Sequence, residues 1–132
     1  MNAATSMSAI PIALQQLAAQ SPEWMAIFDR DRRYGVVSPK LADILTLSGL
    51  YWYGQKNEDL ALLAKYAGHS KLWRKYWQQV DDALLTVQQR GQPEQRVHLL
   101  SIQDTEQRFE TTYTPILDDQ GQVAQVVSIS RP

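Results

Sequence analysis

The stretch "HSKLWRKYWQQV", residues 69–80, sets a histidine beside three large aromatic side chains, Trp73, Tyr76 and Trp77. An imidazole nitrogen can hold a metal, and aromatic rings can wall off a flat cofactor, so the combination suits a haem or a flavin. It suits equally a core helix with a polar residue at its start. Gly68 reads as a helix stop and Ser70 as an N-cap, which leaves His69 in a short connection as a capping or loop residue. The other histidine, His98, falls in a predicted strand and is free to face either side of a sheet.

Carboxylates come next. Asp81-Asp82 and Glu58-Asp59 are adjacent pairs, and neighbours on a helix point about 100° apart, so neither pair converges on a reacting atom. Both read as solvated faces or as partners of a helix dipole. Lys71, Arg74 and Lys75 make a small basic patch of the kind that is usually a wet face. Nothing resembles a nucleophile elbow, a glycine-rich phosphate loop or a His-Glu-x-x-His metal signature. The chain has no cysteine, which excludes disulfides, thiolate metal sites, thiol nucleophiles and a cysteinyl-flavin photoadduct. Non-covalent flavin binding stays open. No active site emerges.

The elements that must position these residues belong to one domain, since 132 residues suffice for a single buried core. No apolar run approaches the roughly 20 residues that span a bilayer. The N-terminus lacks the basic and long apolar regions of a secretory signal. A net charge of −1 exerts no general pull on nucleic acid or anionic lipid. The expectation is a soluble, cytoplasmic domain with no membrane span and no nucleic-acid partner.

Residues 8–20 place Ile10, Leu14, Leu17 and Ala18 at helical spacing, with Ser21-Pro22 as a stop. "WMAIFDRDRRYGVVS" is two apolar runs around a charged turn, residues 29–32, and predicts a hairpin. In "SPKLADILTLSG", Ser38 suits the N-cap, Pro39 the first helical position and Gly49 the left-handed stop. "LYWYGQK" reads as irregular, and "NEDLALLAKYAG" as a second helix with Asn57 as cap. A longer helix follows, on which Trp73, Trp77, Val80, Leu84 and Val87 form one apolar stripe that ends near Arg90-Gly91.

Beyond Gly91 the texture turns to β. "EQRVHLLSI", "QRFETTYTPI" and "QVAQVVSIS" predict three strands joined by the polar turns "QDTE" and "DDQG". Two β groups separated by a helical insert predict an α+β fold: one antiparallel sheet with helices gathered on one face.

This order resembles a PAS domain from about Glu23 to Arg131. "MAIFDRDRR" is similar to the family's opening strand and acidic turn, and "VVSPKLADILTLSG" to its strand, Asn-Pro, helix and glycine. "YTPILDDQGQVAQVVSISR" resembles its closing hairpin. The tryptophan-bearing helix followed by glycine resembles one subgroup. Ser38 stands where an asparagine is usual, which puts a turn hydrogen bond in question. Arg131-Pro132 replaces the usual Asp-Ile-Thr junction, pointing to a cut at a domain edge or an unusual output connection.

The resemblance implies a PAS-like five-stranded antiparallel sheet over residues 23–132, preceded by an amphipathic helix over residues 8–20. It implies a sensory and dimerisation module of a signalling protein such as a histidine kinase or a cyclic-dinucleotide enzyme. Catalysis would then lie in an output domain outside this chain. A small-molecule pocket would be lined by Ile44, Trp73, Trp77, Val80, Leu99, Tyr113 and Val127, with Tyr76 and Trp52 nearby. The same aromatics are equally able to fill that space. Haem-binding members carry the ligand histidine in the long helix, about three turns before the following glycine. Counting back from Gly91 reaches the region of Val80, which cannot ligate, so haem is disfavoured and the cofactor is unknown. Nothing matches the light sensors' Gly-x-Asn-Cys-Arg motif.

The expected partner is a second copy of the chain, held through Ile10, Leu14 and Leu17, so that glutamates at 14 and 17 are predicted to favour monomer. The strand "QVVSIS" would pass a change to a downstream domain. Two other classes compete. A small enzyme like the ketosteroid isomerases would use Tyr113 with Glu110 or Asp29. A ligand-free interaction scaffold would need only the filled core.

Overall fold

The computed structural model describes residues 10–47, 49–66, 71–102 and 105–132. Its elements, in chain order, are α1 (Ile12–Gln20), β1 (Trp24–Phe28), β2 (Tyr34–Val37), α2 (Pro39–Thr46), α3 (Asn57–Tyr66), α4 (Lys71–Arg90), β3 (Glu94–Ile102), β4 (Thr105–Leu117) and β5 (Val123–Arg131). The expected placements of His69, of Ser70 as cap and of Gly68 as stop lie outside the described residues, as does part of the "QDTE" turn. Among the described residues, no helix is long and apolar enough to cross a membrane.

Local chemistry sets most boundaries. α1 begins at Ile12, because Pro11 disfavours helical backbone at Ile10, and the first part of the expected 8–20 span lies outside the described residues. The turn between β1 and β2 is built on Asp29, whose Oδ1 accepts from the amides of Asp31 (2.8 Å) and Arg33 (2.9 Å). Arg32 takes the left-handed conformation that this tight reversal demands, φ +65°. Gly91 ends α4 in the same way, φ +66°, with its amide donating to the Val87 carbonyl at 2.8 Å. Between β4 and β5, Asp118 accepts from the amides of Gln120 and Gln122 while Gly121 adopts φ +77°.

Ser38 does more than the capping expected of it. Its hydroxyl oxygen accepts from Leu41 N at the start of α2 and from Met25 N in β1 (2.9 Å), and its proton goes to the Glu23 carbonyl. The side chain is fully buried, so one hydroxyl joins β1, β2 and α2. Ser38→Ala should therefore lower stability by about 2 kcal/mol, from a lost cap plus a buried amide left without its acceptor. Urea denaturation measures this, and a loss under about 0.5 kcal/mol would mean that the amides find other partners.

The five strands form one antiparallel sheet in the order β2-β1-β5-β4-β3. The last strand thus lies at the centre, and the three consecutive helices α2–α4 carry the chain from one edge to the other. These helices cover one face, with α4 lying over β3 and β4, α3 packed on α4, and α2 against β1. The predicted stripe on α4 is buried in full: Trp73, Trp77, Val80, Leu84 and Val87 all face this main core.

α1 crosses to the other face, over β1 and β2. There Ile10, Ala18, Met25 and Ile27 make a second, smaller core that Leu14 and Val127 join. Ile10 and Leu14 are therefore occupied by the chain's own sheet, while Ile12 and Leu17 are exposed, at 71% and 57%. That corrects the expected dimer contact at Ile10 and Leu14: the sheet claims their apolar surface first. Asn57 is corrected as well. It lies at the first position of α3 and is fully buried, and Lys56 supplies the carbonyl that accepts from the amides of Asp59 and Leu60.

Candidate functional site

Strand parity decides which residues can line a site between helices and sheet. β3 turns His98 and Leu100 toward the helices, β4 turns Phe109, Thr111 and Tyr113, and β5 turns Val126 and Ser128. Ile44, Trp73, Trp77, Val80 and Tyr113, five of the expected lining residues, meet in or against this main core. Leu99 and Val127 do not. Leu99 is 39% exposed on the opposite face, and Val127 packs in the second core beneath α1. Each has a buried polar neighbour facing the helices, His98 beside Leu99 and Ser128 beside Val127, so the period of two sends the apolar residue outward.

The centre of the site is a chain of neutral polar groups among aromatic rings. His98 Nε2 and the Tyr113 hydroxyl are 2.7 Å apart, and His98 Nδ1 lies 3.3 Å from Gln79 Oε1 on α4. An amide oxygen only accepts, so the proton sits on Nδ1, and Nε2 accepts from the tyrosine. Burial, helped by the nearby Arg96 guanidinium, pulls the His98 imidazole down from 6.5 to about 4. Burial also pushes the Tyr76 hydroxyl up to about 12 and the Tyr113 hydroxyl well above its ordinary value. All three side chains are thus uncharged at neutral pH.

A second polar pair lies across the core. The Tyr34 hydroxyl donates to Asn57 Oδ1 at 2.8 Å, both residues being buried. Trp77 stands edge-on to Tyr34 with ring centroids 6.3 Å apart, and Trp52, from the irregular segment 49–56, does the same from another side. Trp73 and Tyr76 pack on Trp77 at 5.2 and 5.1 Å. Toward β1 and the sheet, Trp24, Ile44, Tyr76 and Phe109, among others, bound a cavity of about 10 Å³. That volume matches about one water molecule.

The adjacent carboxylates do not converge, as expected, but Asp81 is largely buried and not on a solvated face, and Arg74 of the expected wet basic patch has its Nε buried without a partner. Asp81 pairs with Arg32 at 3.3 Å and Asp82 with Arg96 at 2.9 Å, so the adjacent carboxylates serve different partners. Among the described residues, no three histidine, aspartate or glutamate side chains gather as a metal site would require. His98 does not fit a haem either, because both of its ring nitrogens are engaged by Gln79 and Tyr113. The carboxylates considered for an isomerase-like site are placed elsewhere. Glu110 is exposed on the face away from Tyr113, and Asp29 holds turn amides.

Sequence reasoning missed His98, Asn57 and Tyr34 as members of the site. His98 stands between Val97 and Leu99, where hydrophobic alternation would turn it to solvent. The bulky aromatics in "ETTYTPI" and "RRYGVV" were the only signals of its surroundings.

Comparisons with known proteins agree with this geometry. The family model described as PAS fold matches residues 18–132. No curated protein sequence matches closely enough to count as a relative. Among solved structures, the phage VqmA–DPO complex superposes with a TM-score of 0.69 at 12% identity, over 91% of this chain and 51% of that one. The PAS domain of Bordetella pertussis BvgS gives 0.65 at 14% identity, over 90% and 82%. The PAS domain of histidine kinase ThkA gives 0.56 at 14%, over 83% and 98%. The chain spans about half of the VqmA chain it matches. With five antiparallel strands, a long helix over the sheet and a family match across residues 18–132, the chain belongs to the PAS-fold family.

Proposed function

We propose that this chain is a sensory and dimerisation domain of a cytoplasmic signalling protein, which binds a small molecule between α4 and the sheet and passes on a change in packing. The observation that carries this reading is the interior itself. A core built only for stability has little reason to bury two tyrosine hydroxyls, an asparagine, a histidine and two indole nitrogens. Such groups orient a ligand, and PAS relatives supply precedents: VqmA is described bound to DPO, and ThkA is a histidine kinase. The output domain would lie in a longer protein, of histidine kinase or cyclic-dinucleotide type. A ligand acts there only through its differential affinity for two packings of α4 on the sheet.

Native mass spectrometry with an absorbance spectrum of the purified protein tests the sensing role. Extra mass, or a bound chromophore, is the expected result. A bare mass from protein purified under several growth conditions would favour the scaffold.

For dimerisation, Ile12 and Leu17 on α1, with Val97 and Leu99 on the uncovered part of the same face, offer exposed apolar surface to a second copy. Ile12→Glu with Leu17→Glu is expected to shift sedimentation toward monomer without loss of stability. Leu14→Glu should instead destabilise the fold, because Leu14 packs on the sheet. An unchanged sedimentation coefficient for the Ile12/Leu17 variant would remove α1 from the interface.

A further inference from the structure

A groove between α3 and α4 takes no part in the core. Glu58, Ala61 and Leu62 of α3 and Arg74 and Gln78 of α4 line a cavity of about 290 Å³. Glu58 and Leu62 are four residues apart, as are Arg74 and Gln78, so each helix turns one face to the groove. Arg74 and Gln78 each follow a buried tryptophan, Trp73 or Trp77, and so point about 100° round α4 from the stripe that meets the sheet.

The groove carries two opposite charges that do not satisfy each other. Among the described residues, neither Glu58 nor Arg74 enters an ion pair. Arg74 Nε is closed off from solvent and has no hydrogen-bond partner, a costly state for a donor on a cation. Glu58 is exposed in the first turn of α3, where the helix dipole favours its charged form.

These charges define what the groove accepts. A simple anion drawn to Arg74 would meet Glu58, and a simple cation drawn to Glu58 would meet Arg74. A molecule bearing both charges is repelled by neither. The Nε edge of a guanidinium suits a carboxylate, which takes two parallel hydrogen bonds from it. Leu62 is half exposed and Ala61 lies beside it, so an apolar group on the ligand would gain by covering them. The volume falls near the lower end for small-molecule sites. We propose that this groove binds a free, zwitterionic α-amino acid with an apolar side chain, its carboxylate on Arg74, its ammonium on Glu58 and its side chain against Ala61 and Leu62. Gln78, with an amide donor and acceptor, serves either end. The proposal is independent of any ligand beneath α4.

Four compounds separate the contributions. Leucine has all three features, N-acetylleucine lacks the ammonium, leucinamide lacks the carboxylate and glycine lacks the apolar side chain. Each is titrated into the ¹⁵N-labelled full chain. Leucine is expected to bind about tenfold more tightly than any of the others, the effect of one lost contact. It should move the backbone amides of Ala61 and Leu62 and the side-chain amide of Gln78. Glu58→Gln should abolish the preference over N-acetylleucine, and Arg74→Gln the preference over leucinamide. Glu58 is exposed, so its variant decides the matter if Arg74→Gln folds poorly. N-acetylleucine or leucinamide binding as tightly as leucine overturns the zwitterion, and glycine binding as tightly overturns the apolar side chain. Absence of binding overturns the site. So do shifts centred on His98 and Tyr113 instead of the groove, which would place the amino acid beneath α4 and leave the sensing role intact.

Discussion

Trp77→Ala is expected to destabilise the domain by about 3–5 kcal/mol, the range for large aromatic truncations in close-packed cores. Among the described residues Trp77 is the largest fully buried side chain, and its ring packs on Trp73, Tyr76 and Tyr34, so deletion opens a void at the junction of α4 with the sheet. The neighbours cannot collapse into that void freely, because Tyr34 is tied to Asn57 and Trp73 and Tyr76 are carried by α4 itself. One term opposes the loss: the indole nitrogen has no partner, so its removal relieves an unmet hydrogen bond worth about 1 kcal/mol. The lower half of the range is the sharper expectation. Against a typical domain stability of about 5–15 kcal/mol, this brings the variant close to unfolding at physiological temperature. Urea denaturation gives the value, and a loss below about 1 kcal/mol would show that the core repacks around the gap.

The second large effect is acid sensitivity at His98. The folded domain holds this imidazole near 4, against an ordinary value of 6.5 that the unfolded chain would show. Between those pH values the unfolded chain takes up a proton that the folded chain refuses. Stability therefore rises with pH across this window, is complete above about 6.5, and is lost as pH falls toward 4. The depression corresponds to about 3 kcal/mol at most. Protonation would also break the pattern at the ring, because a doubly protonated imidazole cannot accept from the Tyr113 hydroxyl. Unfolding free energies from pH 7 to 4.5 should converge for the wild type and His98→Gln, since only the wild type loses this contribution. Parallel curves would assign the acid sensitivity to other groups.

Much of the local architecture was legible in the sequence because its causes are local. Ser38-Pro39 starts α2, Gly91 ends α4 and "DDQG" closes the last hairpin through backbone geometry that a few residues settle among themselves. The α4 stripe was equally legible: five apolar residues at helical spacing can only face one way. Element order led to the PAS fold, since two β groups around a helical insert leave few arrangements of one sheet.

The faces of the strands were a different matter. Hydrophobic alternation names an inner face only when one side of a strand meets water. β5 is the central strand, covered by helices α2–α4 on one face and partly by α1 on the other, so "VVSIS" shows no inner and outer set. Val127 was therefore assigned to the wrong core. Leu99 failed for the converse reason: His98 turns inward because Tyr113 and Gln79 satisfy its ring, and that displaces the leucine to the surface. Hydrogen bonds between residues 15 and 19 positions apart leave no trace in a local pattern.

The amino-acid sequence by itself determined which of the described segments are helix or strand, where the β1–β2 and β4–β5 hairpins turn, and which family the order belongs to. Only the tertiary structure decided that His98 and Asn57 point inward, that α1 covers the far face of the sheet, and that Trp52 lies against Tyr34. The reason is physical. Turns and helix stripes depend on neighbours along the chain, whereas the partners of a buried polar group are chosen across the core.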